Sequence, residues 1–314
     1  MTTLSTVNTP RNSEDVLDGL AAVLVVYDRK VDPTPALLAV LGLVRTVVMV
    51  DNAPDGHPGA SAWSRDGRVT VVTNANRGGL AGAYNAARAW LQEHAPQTRH
   101  LVFIDDDSDA TVLAAFLRDP QVRSMLERAD TAAVAPAHRD RATGMRAKHL
   151  LLTRWRWHQL PRELSGLNRV SFVINSMSVW RMEALQRIGA HNEWLGVDHV
   201  DTEYCLRAGD QGLGIYLHGD HEFAQSIGER RAYRFLGFTL QSGGHSAQRR
   251  HSIGRANAWL ACAYLSSKPA FAVLRTALVL YEALGILMAE DKRLAKFCAL
   301  ALGTFSGIAR GIRG

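Results

Sequence analysis

The chain has 314 residues, of which 47% are hydrophobic and 21% are charged, and its formal net charge is +6. This composition is that of a globular protein with one large domain, alone or with an appendage, and it excludes a disordered chain. The first eighteen residues are polar and lack the basic segment and apolar core of a signal peptide. Cys205, Cys262 and Cys298 lie far apart without metal-binding spacing, so we expect three buried thiols in a cytoplasmic protein.

Short apolar runs rich in β-branched residues recur in the first third of the chain. They are AAVLVVY (21–27), TVVMV (46–50), RVTVVT (68–73) and HLVFI (100–104). Such runs are typical of strands buried on both faces of a parallel sheet, and a helix is predicted over 78–94. The alternation predicts an α/β sheet of Rossmann-like type. No dinucleotide fingerprint or Walker lysine motif follows any of these runs, which argues against NAD enzymes and P-loop NTPases.

Polar residues follow these strands at their carboxyl ends, where open α/β sheets bind ligands. Asp51 ends the second strand, Asn76 precedes a glycine-rich helix start, and the fourth strand runs into the acidic residues 105–107. Taken singly, Asp51 could form a turn and Asn76 could cap a helix. The acidic cluster suits Mg²⁺ or Mn²⁺ bound to a diphosphate, and a solvated surface loop is the alternative.

A second group of acids lies in WLGVDHVDTEYCLRAGDQG (194–212), which is predicted to contain a helix. On that helix Asp201 shares one face with Tyr204 and Cys205, and Asp198 stands just ahead of them. A carboxylate here could accept the proton of an attacking hydroxyl. Alternatively, Asp198 caps the helix and Asp201 is solvated.

The ordered motifs VDN, NRGGLAGAYN, DDDS and VDHVDTEYCLRA resemble those of family-2 inverting glycosyltransferases of the GT-A fold. Within that family, HVDTEYCLRA, SIGERR and FLGFTL are similar to bacterial rhamnosyltransferases, in particular those that add the second rhamnose of a rhamnolipid. The resemblance extends from about residue 21 to about residue 310. It implies a polar tail (1–20), a GT-A catalytic domain (21–245, with a nucleotide half over 21–135 and an acceptor half over 136–245) and a C-terminal helical region (246–314).

The resemblance also implies roles for residues that would bind the donor, dTDP-L-rhamnose. Asp51 would recognise the base, and Asn76 and Arg77 would lie near the nucleotide and diphosphate. The Asp-x-Asp pair would be Asp105 and Asp107.

In that pair Asp107 would be the direct ligand of Mg²⁺ or Mn²⁺, and Asp106 would be the variable middle residue. Asp201 would be the general base of a single inverting displacement.

The chain departs from this family at one position near the expected metal. Relatives commonly carry H-x-x-G where this chain reads QSIG, so Gln225 stands in place of a histidine. Glutamine can hydrogen-bond a phosphate, but it is a poorer metal ligand than histidine. His218 and His221 are close enough in sequence to substitute for it, or they have surface or core roles.

A basic stretch over 138–169 holds eight Lys and Arg residues against two acids, together with Trp155 and Trp157. Basic residues among aromatics occur in nucleic-acid-binding proteins, but no recognition module accompanies them, so nucleic acid is not an expected partner. The stretch is either a solvated loop with packed tryptophans or an acceptor-binding segment. The following residues, SFVINSMSVWR (171–181), are predicted to return to the sheet as a strand under the acceptor pocket.

From Ser246 onward the chain has ten Lys and Arg residues against three acids. Its most apolar window, 272–289, is interrupted by Arg275 and Glu282, which argues against a membrane-spanning helix. Two amphipathic helices are predicted, and they could lie on an anionic inner leaflet or pack on the catalytic domain or on a second subunit in a homodimer. The basic residues available for lipid contact are Lys292, Arg293, Lys296, Arg310 and Arg313.

The resemblance implies an enzyme that converts mono-rhamnolipid to di-rhamnolipid, and with the basic, apolar C-terminal region it favours a peripheral location on the inner face of the cell membrane. A rhamnosyltransferase or other glycosyltransferase of O-antigen or surface-polysaccharide assembly is the alternative within the same fold. The non-enzymatic alternative is a catalytically inactive scaffold protein that binds a sugar nucleotide.

Overall fold

The computed structural model describes residues 17–141, 143–225, 231–235, 238–242 and 244–313. Most of the polar tail (1–20) and residues 226–230 of the SIGERR motif lie outside the described residues. The strands are β1 (Leu20–Val26), β2 (Thr46–Asp51), β3 (Val69–Thr73), β4 (His100–Asp105), β5 (Thr131–Asp140), β6 (Leu150–Leu152), β7 (Trp157–Gln159), β8 (Leu167–Val170), β9 (Val179–Arg181), β10 (Gly214–Gln225), β11 (Arg231–Phe235) and β12 (Phe238–Ser242).

The α-helices are α1 (Thr34–Leu41), α2 (Ala60–Trp63), α3 (Gly79–His94), α4 (Leu113–Arg118), α5 (Pro120–Glu127), α6 (Met182–Ile188), α7 (Val200–Asp210), α8 (Ala247–Ala263), α9 (Pro269–Ala289) and α10 (Arg293–Ile312). Short 3-10 helices cover Ala110–Val112 and Glu193–Leu195.

One sheet of eight strands, in the order β3-β2-β1-β4-β9-β5-β10-β8, forms the centre of the molecule. The neighbours β3, β2, β1 and β4 are parallel, so their carboxyl ends lie at one edge. β9 runs antiparallel between β4 and β5. The four strands and the helix predicted from the apolar runs are all present, which confirms the α/β class.

Both faces of this sheet are covered, which explains why its strands read as continuous apolar runs. All seven residues of β1 are buried. One face packs against α3 and α7 through residues such as Tyr84 and Tyr204. The other face packs against α1, α4 and α5 through residues such as Leu37 and Phe116.

Two sequence predictions are corrected here. The predicted strand over 171–181 is a strand only at β9; the preceding residues form an irregular segment in which Met177 has a left-handed φ of +64°. That backbone turns the chain so that Ser176 bridges to Phe103. The prediction of three buried thiols is wrong for Cys298, which lies on the exposed side of α10.

The two helices predicted over 270–314 are present as α9 and α10, and a third helix, α8, precedes them. α10 packs closely on α8 through glycines spaced four residues apart, Gly303, Gly307 and Gly311. A Cβ at Gly307 would lie 2.2 Å from the carbonyl oxygen of Arg255 on α8, so only glycine permits this approach.

Charged residues also link these helices in the interior. Arg250 of α8 is fully buried and pairs with Glu282 of α9 and with Glu290. Lys296 of α10 is buried beside Glu290 at 3.0 Å and contacts Asp291 at 2.7 Å. The prediction that Lys296 is available to lipid is therefore wrong, because its ammonium group is used inside the helical region.

Apolar side chains remain exposed on the outer surfaces of α9 and α10. They include Val273, Leu280, Leu284, Leu294, Leu302, Phe305 and Ile312. Among the described residues one helix, Pro269–Met288, is long and apolar enough to cross a membrane, and 28% of its most apolar window is buried. Within that helix Arg275 is buried against the protein and Glu282 pairs with Arg250.

Candidate active site

The acidic cluster lies where β4 ends, at the carboxyl edge of the parallel strands. Burial, together with the neighbouring carboxylates of Asp107 and Asp106, raises the pKa of Asp105 to about 7. Asp107 is exposed. Closely spaced carboxylates repel one another, and a bound cation would relieve that repulsion. Carboxylate oxygens are ligands that suit a hard divalent cation.

The three aspartates have different surroundings. The carboxylate of Asp106 accepts the backbone N–H of Tyr27, just after β1, at 3.1 Å. This hydrogen bond ties the end of β4 to the end of β1. Asp106 thus has a backbone partner, and the assignment of Asp105 and Asp107 as the metal-binding pair stays a prediction.

Gln225 lies at this same cluster. It is the last residue of β10, and its side-chain amide donates to the carboxylate of Asp105 at 3.0 Å. The position where relatives carry histidine is thus beside the candidate metal pair. His218 and His221 are not at this cluster; they lie earlier on β10 and face Asp119 instead.

The loop between β3 and α3 has an unusual backbone. Ala75, Asn76, Gly78 and Gly79 all have φ between +50° and +63°. Gly78 occupies the N-cap position of α3 without a side-chain cap, so Asn76 is not the helix cap. A Cβ on Gly79 would lie 2.7 Å from the carbonyl oxygen of Gly196, which explains the glycine pair.

Asparagine side chains hold this loop against the end of β2. Buried Asn74 donates to the side-chain oxygen of Asn52 at 2.7 Å and to the carbonyl of Arg77 at 2.8 Å. Asn52 donates to Asn76 at 3.4 Å and to Gly79 at 3.3 Å. The exposed side chain of Arg77 stands beside this network, with its Nε donating to the Asn74 carbonyl.

The structure gives Asp51 a turn-forming role. Its side chain is 3% exposed and accepts the backbone N–H groups of Ala53 at 3.2 Å and His57 at 2.8 Å. The carboxylate thereby shapes the turn that follows β2. Recognition of a base by Asp51 stays a prediction.

Asp201 stands in the first turn of α7, as the sequence predicted. Burial raises its pKa, while hydrogen bonds from Thr202, including one from its backbone N–H at 2.7 Å, oppose that rise. Burial and the charges of Asp105 and Asp201 raise the pKa of Tyr84. The acid cluster of β4 and the carboxylate of α7 are therefore both near enough to one buried tyrosine for their charges to act on it.

A cation from the C-terminal region reaches Asp201. Burial lowers the pKa of Arg275 on α9 to about 10, and Asp201 opposes that shift. The same guanidinium lies 3.5 Å from the ring nitrogen of His199 and 3.4 Å from Asn257. Burial, with Arg275 next, lowers the pKa of His199 to about 3, so this imidazole is neutral. Arg275 is therefore the nearby positive charge that favours ionised Asp201.

Other contacts fix the loop that leads into α7. Asp198 pairs with Arg249 of α8 at 2.9 Å and does not cap the helix. Asn85 on α3 donates to Glu193 at 2.8 Å and accepts the backbone N–H of His191 at 2.8 Å. α3 and α8 thus hold the segment that positions Asp201.

The basic stretch forms the hairpin of β6 and β7 and the segments around it. Trp155 is 70% exposed at its turn and Trp157 is 44% exposed, so the expectation of packed tryptophans is wrong. Some of the basic charge is structural, since Arg139 and Arg146 both pair with Glu222. The exposed indoles remain available to a ligand.

No protein-family model matches the chain, and no curated protein matches it. Among solved structures, the crystal structure of GalNAc-T7 with UDP, GalNAc and Mn²⁺ is similar, with a TM-score of 0.50 and 13% sequence identity. The similarity covers 93% of this chain and 57% of that one, so this chain spans little more than half its length. The likeness shows the fold: the chain has the GT-A glycosyltransferase fold.

Several residues of this region were missed by the sequence analysis. Arg275 appeared there only as an interruption of an apolar window, and Arg249 only as part of the basic surplus. A single basic residue inside an apolar helix was the available signal, because such a charge is buried only when it has a partner. Asn74 carried no signal beyond its place at a strand end.

Proposed function

We propose that this protein is a metal-dependent inverting glycosyltransferase that transfers L-rhamnose from dTDP-L-rhamnose to a rhamnolipid-type acceptor. The observation that carries the proposal is that the charges of Asp105 and Asp201 act on each other and on buried Tyr84, at the carboxyl edge of a GT-A sheet. One carboxylate belongs to an acidic cluster suited to a cation, and the other stands at a helix start with a raised pKa.

Asp201 is the general base of this proposal. The acceptor hydroxyl gives its proton to Asp201 as its oxygen forms a bond to the anomeric carbon. The bond from that carbon to the phosphate oxygen breaks in the same displacement, and dTDP leaves with the electron pair. The raised pKa of Asp201 makes it a stronger base than a solvated aspartate, and the charge of Arg275 opposes part of that rise.

Asp105 and Asp107 would hold the divalent cation, which when bound offsets negative charge on the leaving diphosphate. Gln225 would orient Asp105 through its amide N–H. The exposed guanidinium of Arg77, beside the left-handed loop, would face the nucleotide diphosphate. The presence of Mn²⁺ and UDP with GalNAc-T7 supports a metal and a nucleotide-sugar donor for this fold.

Three features support a glycolipid acceptor presented at an anionic membrane surface. They are the exposed apolar residues on α9 and α10, the basic tail, and the exposed indoles of Trp155 and Trp157. Indole rings pack on sugar faces, and basic side chains attract a fatty-acid carboxylate or lipid phosphates. The resemblance to rhamnosyltransferases supports the rhamnosyl donor.

The test is product formation from dTDP-L-rhamnose and mono-rhamnolipid with Mg²⁺ or Mn²⁺, repeated in EDTA and read by mass spectrometry. The proposal expects a gain of one deoxyhexose that disappears in EDTA. Metal-dependent release of dTDP without transfer would retain the donor and remove the rhamnolipid acceptor. If neither transfer nor hydrolysis of dTDP-L-rhamnose is detected, that result would contradict the rhamnosyl donor.

A further inference from the structure

We propose a second metal site, formed by Asp119, His218 and His221, that binds Zn²⁺ and is separate from the acidic cluster of β4. One oxygen or nitrogen atom from each side chain can be chosen so that all three lie within 4.8 Å of one another. The three residues come from the junction of α4 with α5 and from the middle of β10.

A bulge in β10 creates this arrangement. His218 pairs with Pro136 on β5 and the next paired residue is Glu222, so residues 219–221 are additional on the β10 side. In a regular strand, residues three apart point to opposite faces. Here the imidazoles of His218 and His221 lie together, with ring centroids 4.8 Å apart. Bulges redirect side chains in this way next to functional sites.

The backbone of the bulge is closely fitted to its surroundings. Gly219 donates its N–H to the carbonyl of Gly166 at 2.8 Å, and a Cβ on Gly219 would lie 2.1 Å from the carbonyl oxygen of Leu164. Asp220 accepts the N–H of Gly166 at 2.9 Å. These contacts with the segment 164–166 hold the bulge in place without using either imidazole.

The two carboxylate oxygens of Asp119 have different partners. Oδ1 caps α5 by accepting the backbone N–H of Gln121 at 2.8 Å. Oδ2 faces the histidines, at 2.8 Å from Nε2 of His221 and 3.5 Å from Nε2 of His218. Ligands of a tetrahedral Zn²⁺, bound at about 2.0 to 2.1 Å, stand about 3.3 Å apart, so these separations require little movement.

His218 supplies the observation that points to an absent ligand. Its side chain is buried, with 1% of the residue exposed, and its Nε2 has no hydrogen-bond partner. Buried polar atoms are normally paired. Nδ1 of the same ring accepts the backbone N–H of Asp220 at 3.4 Å, so the ring atom left for a ligand is Nε2.

The donor set selects the metal. Two imidazoles and one carboxylate suit Zn²⁺, whereas Mg²⁺ takes oxygen ligands. Asp119 and His221 are partly exposed, so water can complete the coordination. His221 lies four residues before Gln225 on β10, about 13 Å away along a strand. The two candidate metal sites are therefore distinct, and this proposal does not depend on the proposed transfer reaction.

The test measures Zn²⁺ bound to the untagged full chain by metal analysis after dialysis, and the affinity by competition with a chromophoric chelator. We expect one Zn²⁺ bound per chain, with binding that depends on Asp119, His218 and His221. Replacement of Zn²⁺ by Co²⁺ should give a visible absorption band. Asp119→Asn and His221→Gln should each weaken Zn²⁺ binding by more than about 100-fold, because each replaces a metal ligand, whereas loss of a residue that only orients a ligand typically costs about 10- to 100-fold.

Two control variants locate the binding. His94→Gln removes an exposed imidazole at the end of α3 and should leave Zn²⁺ affinity unchanged. Asp107→Ala alters the acidic cluster and should also leave it unchanged. Three outcomes would overturn the proposal. The wild type could fail to bind Zn²⁺, both ligand variants could bind it unchanged, or binding could be lost only in Asp107→Ala. The Co²⁺ spectrum of the wild type decides the case even if a variant fails to fold.

Discussion

Asp105→Asn should stabilise the metal-free protein at alkaline pH. The pKa of Asp105 is about 7 in the folded protein against an ordinary value of 3.8, so the folded state holds its proton more tightly than the unfolded chain. Stability contributed by this group therefore falls as pH rises from about 4 to about 7. Because Asp105 ionises less readily in the folded protein, it lowers the free energy of unfolding by about 4 kcal/mol at pH 8 and by about 2 kcal/mol at pH 5. The effect vanishes near pH 3. Asparagine keeps the shape and an oxygen that can accept the N–H of Gln225, but carries no charge.

The assay is urea unfolding of wild type and variant in EDTA at pH 8 and pH 5. We expect the variant to have the higher free energy of unfolding at pH 8, and its advantage to shrink by about half at pH 5. Asp109→Asn is the matched control, because hydrogen bonds from Thr111 lower the pKa of Asp109 and removal of its charge should not stabilise the protein. An equal gain at both pH values, or no gain at pH 8, would refute the reasoning about Asp105.

Three further predictions concern the base, its cation and the helix contact. Asp201→Asn should lower kcat for transfer by about 100- to 10,000-fold and leave dTDP affinity nearly unchanged; retained transfer would remove it as the base. Arg275→Met removes the cation that lowers the pKa of Asp201, so the acid limb of the pH–kcat profile should move to higher pH, and Arg275→Lys should restore it. Gly307→Ala should cost about 1 to 3 kcal/mol in urea unfolding because its Cβ meets α8, whereas Gly285→Ala, with open space around it, should cost nothing. Equal effects of the two alanines would contradict the close packing.

The sheet was predictable because its strands are buried on both faces and each ends in a polar turn. Asp105, Asp107 and Asp201 were placed by the resemblance and by strand ends. The bulge of β10 could not be foreseen, because inserted residues leave no periodic signal once a strand is irregular. The partners of Arg275 and Lys296 were equally hidden, since an ion pair between distant helices depends on tertiary packing rather than on local spacing.

Arg249 pairs with Asp198, and buried Arg275 contacts His199, which has a consequence for modularity. A chain shortened before α8 would lose the partner of Asp198 and the cation beside Asp201 together, although neither arginine belongs to the sheet. The C-terminal helices cannot be exchanged between relatives as an independent unit without also altering the proton affinity of Asp201. Recombination in this protein would have to keep α7, α8 and α9 from one parent.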